Sequence, residues 1–209
     1  MDLPDPPVLV ISDRSQLHQP LLSVAEAVFA GGCRWFSLRE KDLPAAERRA
    51  LLAALVKLGH SYGAVVTAHE DIDAVVAVGG DGVHLPGGGD PYAARLRLPR
   101  ALIGASAHSA AEAVAQLSAG ADYVTISPVF LTASKPGYGP AIGLDGLTKT
   151  AAAASGPVLA LGGITAQNAG LCRSAGAAGI AVMGEVMRAA DPRSTVADLI
   201  RAFSADTAR

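Results

Sequence analysis

Two short apolar runs, each stopped by glycine and followed by a helix start, constrain this chain more than any other feature. They are Ala160-Leu161-Gly162-Gly163-Ile164-Thr165 and Gly179-Ile180-Ala181-Val182-Met183-Gly184. Runs this short and this apolar read as strands covered on both faces. Glycine at the strand end lets main-chain N–H groups approach a ligand. The helix start that follows adds positive dipole character. The phosphate site of a (β/α)8 barrel is built from the loops after strands 7 and 8. Two such ends point to a barrel that grips a phosphorylated small molecule.

The rest of the chain repeats the pattern. Strands are expected at Val8–Ser12, Cys33–Leu38, Ala64–Ala68, Gly82–Leu85, Ala101–Gly104, Tyr123–Ile126, Val158–Leu161 and Gly179–Met183. Helical periodicity fills the intervals, for example Ala45 to Leu58, Ser109 to Leu117 and Ala166 to Ser174. Ser109 and Thr165 are expected as N-caps, and Gly59, Gly120 and Gly176 as C-terminal stops. Strands alternating with helices imply parallel βαβ units. Eight of them imply closure, so the expected fold is α/β, one (β/α)8 TIM barrel over residues 1–209. The rival, an open doubly wound sheet, would want a Gly-x-Gly-x-x-Gly after the first strand, and none is present. The longest irregular stretch, Pro128 to Ile142, falls after strand 6 at the expected site mouth, where long loops are usually functional.

Composition removes several classes of function. The formal net charge of −2 among 209 residues lacks the basic footprint of a nucleic-acid binder. Cys33 and Cys172 have no metal or redox spacing and read as reduced core residues of a cytoplasmic protein. Met1 to Pro7 is acidic and proline-rich, unlike a signal peptide. No apolar run approaches the ~18 residues of a membrane span.

In a barrel the reactive groups sit at the C-terminal strand ends. Strand 1 delivers Asp13 and Arg14; strand 2 delivers Ser37, Arg39, Glu40 and Lys41; strand 3 delivers His69 and Glu70. Strand 4 brings His84, and strand 5 brings Ser106 and His108. Strand 6 leads to Thr132, Ser134 and Lys135. Strands 7 and 8 supply Gly162, Gly163 and Gly184. Arg39 and Lys41 alternate with Leu38 and Glu40, so both can face one way. They offer a planar fork and a point charge to phosphate oxygens; the plainer reading is a solvated charge cluster. Thr132, Ser134 and Lys135 suit a lid over an anion, or an ordinary polar loop. His108 suits proton transfer near neutral pH, or a bond to local backbone. His84 reads as a satisfied, half-buried side chain. No His-x-His stands at a strand end, which argues against a transition metal. Glu70 or Asp90 could hold Mg²⁺ through water and a substrate phosphate.

Taken in order, these segments resemble the thiamin phosphate synthase/TenI family. The likeness runs through Ile11-Ser12-Asp13-Arg14, Leu38-Arg39-Glu40-Lys41, Asp81 to Leu85, Gly104 to Ser109, Pro128-Val129-Phe130, Thr132 to Lys135, Leu161 to Ile164 and Gly176 to Met183. The resemblance implies a (β/α)8 barrel of thiamin biosynthesis. Its synthase branch joins an aminopyrimidine pyrophosphate to a thiazole phosphate, releasing pyrophosphate with Mg²⁺. On that reading Arg39 and Lys41 meet the pyrophosphate and Lys135 closes over it. Thr132, Ser134, Gly163 and Gly184 then hold the thiazole phosphate, with Gly162, Met183, His69 and Ser106 also on the substrate, and Glu70 and Asp90 serving the metal. The TenI branch instead aromatises a thiazole carboxylate phosphate by moving a proton with the histidine matching His108, and uses no cofactor.

Departures place the chain nearer the second branch. Synthases usually carry Gln where Ser37 stands, Asn-Asp where His69-Glu70 stands, and Gly-Gln-x-Asp where this chain reads Pro86-Gly87-Gly88-Gly89-Asp90. The leading expectation is thus a TenI-like tautomerase with His108 as proton shuttle. The alternatives are a synthase and a non-catalytic phosphate-ligand sensor. The expected partner is a small phosphorylated thiazole, with neither nucleic acid nor membrane involved; a homodimer is compatible with all three.

Overall fold

The computed structural model describes residues 2–132 and 140–205. Eight strands close into a barrel in sequence order, β1 beside β8. They are β1 Val8–Ile11, β2 Trp35–Leu38, β3 Val65–His69, β4 Gly82–Leu85, β5 Leu102–Ala107, β6 Tyr123–Ile126, β7 Val158–Leu161 and β8 Gly179–Val182. Every pairing is parallel, and Val8 facing Ile180 makes the closing seam. Outside lie helices α1 Leu21–Ala30, α2 Ala45–Ser61, α3 Ile72–Val78, α4 Pro91–Arg97, α5 Ala110–Ser118, α6 Gly143–Ala153, α7 Ala169–Ser174, α8 Gly184–Met187 and α9 Pro192–Ser204, with a 3₁₀ turn at Arg14–Gln16. No helix among the described residues is long and apolar enough to cross a membrane.

Strand alternation divides the apolar residues into two sets. Leu9, Ile11, Trp35, Leu102, Tyr123, Leu159 and Ala181 point inward and plug the barrel. Val8, Val10, Phe36, Leu38, Val66, Val83, Ile103 and Ile126 point outward into the larger core under the helices. The plug is possible because small residues face large ones. Trp35 and Tyr123 meet edge to face at 4.7 Å, and a Cβ on Gly104 would lie 2.0 Å from Tyr123 Cζ. The barrel is therefore solid below its upper rim, and only that rim is left for a ligand.

Side-chain caps account for four of the nine α-helix starts among the described residues. Asp71, Asp90, Ser109 and Asp191 each accept a main-chain N–H of the first turn with their side chains. After Asp90 and Asp191 a proline occupies the first turn, where its missing N–H costs nothing. Gly120 and Gly176 follow the last turns of α5 and α7 with positive φ, as stops should.

Two expectations are corrected. Gly59 is not a stop: α2 runs on to Ser61. It is buried, and a Cβ there would sit 2.5 Å from Val66 Cγ2, so its role is to let α2 press onto β3. Thr165 is not the cap of α7, which begins at Ala169. The Asn168 side chain instead accepts the Thr165 N–H at 2.8 Å and donates to the Gly163 carbonyl at 2.9 Å, tying the loop into a turn before the helix. Strand β5 also extends three residues beyond the expected Gly104, which carries Ser106 upward on the inner face.

Candidate active site

The upper rim encloses a cavity of about 400 Å³ at the C-terminal strand ends. Arg39, Lys41, His69, Ser106, His108, Thr132, Gly162, Gly163, Met183 and Gly184 all line it. The eight-strand closure brings these residues together from six different strand ends. Ser134 and Lys135 lie outside the described residues.

Three expected residues stand elsewhere. Ser37 is 1% exposed, sits one inward step above Trp35 and does not line the cavity. Asp90 does not reach the cavity either, because its carboxylate caps α4, accepting the Ala93 N–H at 3.0 Å. Glu70 lines an adjoining hollow rather than the main cavity. Its Oε1 lies 3.0 Å from Lys41 Nζ and 3.4 Å from His69 Nε2. Glu70 is the one described non-glycine residue with positive φ, +63°, a conformation uncommon for a residue with a side chain and costly in energy.

The Mg²⁺ that the resemblance implies can be tested against these donors. Glu70 already faces a lysine, Asp90 is spent on a helix cap, and Asp71 and Asp73 pair with Arg48 and Arg97. No group of three metal-competent side chains exists among the described residues. The two expected ligands do not fit a shared ion.

Strand 2 shows how alternation separates roles. Arg39 and Lys41 face the cavity, whereas Glu40 between them is 3% exposed and turned toward the loop after β1. Both Glu40 oxygens accept the Arg14 N–H, at 3.1 and 3.2 Å, and the Ser12 hydroxyl bonds Glu40 while accepting the Arg39 N–H at 2.8 Å. Burial raises the Glu40 pKa, and the contacts from Ser12 and Arg14 pull the other way. The group holds the β1 and β2 loops together and does not line the main cavity.

The floor is a polar network on the plug. His84 is buried; its Nδ1 lies 3.0 Å from Tyr123 Oη and its Nε2 3.0 Å from Ser106 Oγ, with Thr125 Oγ1 at 3.4 Å. Burial, with the nearby His69, pushes the His84 pKa down to about 3, so the ring is neutral. Burial raises the Tyr123 phenol above its ordinary value, so it keeps its proton. The His69 ring stacks on His84, centroids 5.8 Å apart and planes 20° apart. The sequence reading of His84 as satisfied holds, but the side chain is buried rather than half-buried, and the ring additionally presents Ser106 to the cavity.

His108 stands at the end of β5. Its Nδ1 is 2.9 Å from the Ser127 carbonyl oxygen. A carbonyl only accepts, so Nδ1 carries the hydrogen, and Nε2 is the basic nitrogen of the neutral ring. A Cβ on Gly87 would lie 3.7 Å from that Nε2; the glycine keeps the space beside it open. The His108 N–H donates to Glu112 at 2.8 Å, and Ser109 caps the same helix, a reciprocal arrangement that fixes the ring's backbone.

Opposite, the β7 loop lines the cavity with two glycines. Gly162 and Gly163 have φ +99° and +64°. Cβ atoms there would meet Pro128 Cα at 2.9 Å and Leu131 O at 2.5 Å. The Val129 and Phe130 N–H groups donate to the Leu161 and Gly162 carbonyls at 2.9 and 3.0 Å. Only glycine allows the β6 loop to lie this close to the β7 loop. Thr165, Ser127, Glu185 and Arg188 also line the cavity and were not foreseen. No local sequence signal marks Arg188, which stands one helical turn beyond Gly184 and reads as a surface residue.

Comparison with known proteins agrees with this geometry. The family described as thiamine monophosphate synthase matches residues 8–186. A putative thiamine-phosphate synthase of Geobacter sulfurreducens is 40% identical over 91% of each chain. A thiamine-phosphate synthase of Roseiflexus castenholzii is 38% identical, covering 90% of this chain and 83% of its own. Among solved structures, the thiamine phosphate pyrophosphorylase from Pyrococcus furiosus superposes with TM-score 0.85 at 32% identity, covering 94% of both chains. With its closed barrel and a match across most of its length, the chain belongs to the thiamine monophosphate synthase family.

Proposed function

We propose that this enzyme joins an aminopyrimidine pyrophosphate to a thiazole phosphate and releases pyrophosphate. The observation that carries the reading is that one cavity has two anion-seeking ends. Arg39 and Lys41 stand at one, Gly162, Gly163 and Gly184 at the other. As pyrophosphate departs, negative charge grows on its oxygens, and cations fixed beforehand stabilise that charge without reorganising. Lys41 has Glu70 as its resting partner at 3.0 Å, and an arriving pyrophosphate would compete for it. Thr132 and the glycine cradle would hold the thiazole phosphate, with Ser106 and His69 beneath the rings. Relatives named as thiamine-phosphate synthases support the same reaction. Divalent ion, where it takes part, would arrive with the pyrophosphate, because the two expected carboxylates, Glu70 and Asp90, are engaged. The test is incubation of the purified protein with both substrates and Mg²⁺, followed by detection of thiamin phosphate. No product at high enzyme concentration sinks the reading.

His108 favours a second reading, a tautomerase that aromatises a thiazole carboxylate phosphate. The Ser127 carbonyl sets its tautomer, and the Nε2 edge beside Gly87 is on the cavity wall. That is how a group that takes and returns one proton is held. Turnover of the carboxylated thiazole phosphate, lost in His108→Ala, would support it.

A further inference from the structure

We infer that Arg188 is a specificity-determining residue that reads the phosphoryl group of the substrate, and that Gln16 and Asp13 position it. The inference rests on the phosphate-binding reading of the Gly162–Gly163–Gly184 end, and is independent of which reaction follows. Arg188 ends α8, and its main-chain N–H donates to the Gly184 carbonyl at 3.1 Å, so it is one turn from the glycine cradle. Its side chain returns to line the cavity with Gly163, Thr165 and Gly184.

The guanidinium is held from the other side of β1. Arg188 Nη1 donates to Gln16 Oε1, and Gln16 Nε2 donates to Asp13 Oδ2 at 2.5 Å. Asp13 is a firm anchor. Burial opposes its charge, but hydrogen bonds from Ser15 and Gln16, with Arg39 nearby, outweigh that and hold its carboxyl below the usual value. The 3₁₀ turn after β1 thus serves to aim an arginine planted on α8.

Charge explains why the cation is needed. Glu185 lines the same wall, and a carboxylate beside a phosphate dianion is repulsive. Main-chain N–H groups offer only partial charges; a planar guanidinium matches phosphate oxygens in both charge and geometry. The ligand class is a phosphate monoester of a small heterocycle, distinguished here from its free alcohol.

The experiment is calorimetric titration of wild type, Arg188→Met, Arg188→Lys and Gln16→Met with thiazole phosphate and with the thiazole alcohol. Arg188→Met is expected to weaken phosphate binding roughly ten- to a hundredfold, the range for a charge-assisted hydrogen bond, and to leave the alcohol unchanged. Arg188→Lys should fall between. Gln16→Met should lower the phosphate-to-alcohol preference less, and should add nothing in combination with Arg188→Met. An unchanged preference in Arg188→Met overturns the inference while leaving the phosphate reading intact. A wild type that binds phosphate and alcohol equally overturns both.

Discussion

Gly63 and Gly163 offer a controlled comparison of two kinds of cost. Their backbones are nearly identical, φ +66° and +64°. Their surroundings are not: a Cβ on Gly63 meets nothing within 4 Å, whereas one on Gly163 would lie 2.5 Å from Leu131 O and 2.8 Å from Phe130 Cβ. Gly63→Ala therefore carries only the left-handed backbone penalty, about 1 kcal/mol. Gly163→Ala carries that plus displacement of the β6 loop. Overpacking of this kind adds about 1–3 kcal/mol, for a total of about 2–4 kcal/mol. Urea unfolding with linear extrapolation resolves the difference. The two variants should also part in function, because only Gly163→Ala disturbs the cavity wall; thiazole phosphate affinity should drop in it and not in Gly63→Ala. Equal stability losses in the two variants would refute the claim that loop approach, rather than backbone conformation, demands glycine at 163.

Four further outcomes are expected. Tyr123→Phe leaves His84 Nδ1 without its hydroxyl partner and should cost about 1–3 kcal/mol, read by the same unfolding assay. His84 is neutral in the fold with a pKa near 3 and takes a proton near 6.5 when unfolded. The unfolded state therefore binds more protons between those values, and stability falls as pH falls; from pH 7 to 5 this group should cost about 2 kcal/mol, a slope that should flatten in His84→Gln. Asp90→Ala removes a helix cap and should cost about 1 kcal/mol without altering the Mg²⁺ dependence of any turnover; a shifted Mg²⁺ requirement would restore Asp90 as a ligand. His108→Ala should abolish tautomerisation while thiazole phosphate still binds, and full turnover in that variant would remove His108 from the chemistry.

Much of the fold is legible in the sequence, because barrel strands are buried on both sides and announce themselves as short apolar runs. Strand β6 and strand β7 match the expected bounds at both ends. Glycines misled where packing and conformation leave the same letter: Gly59 is a contact residue, Gly120 a stop. Strand β5 ran long because Ser106 is polar yet faces inward to a buried histidine, which periodicity alone reads as a strand end. The cavity residues on strand ends were legible from position. Those set by side-chain engagement were not. Asp90 reads equally as a ligand or a cap, and the Ala93 N–H decides it. Arg188 reads as surface, and only the tether to Gln16 brings it over the rim.

The contact between the β6 and β7 loops has a consequence for how such enzymes diversify. Leu161 and Gly162 accept main-chain hydrogen bonds from Val129 and Phe130, and the two glycines leave no room for a side chain between the loops. The loops are thus inherited as a pair. A chimera that takes the 127–132 segment from a relative should function only when residues 161–164 come from the same donor. New substrate preferences in this barrel would then arise by exchanging the two loops together, and single-loop grafts would be dead ends.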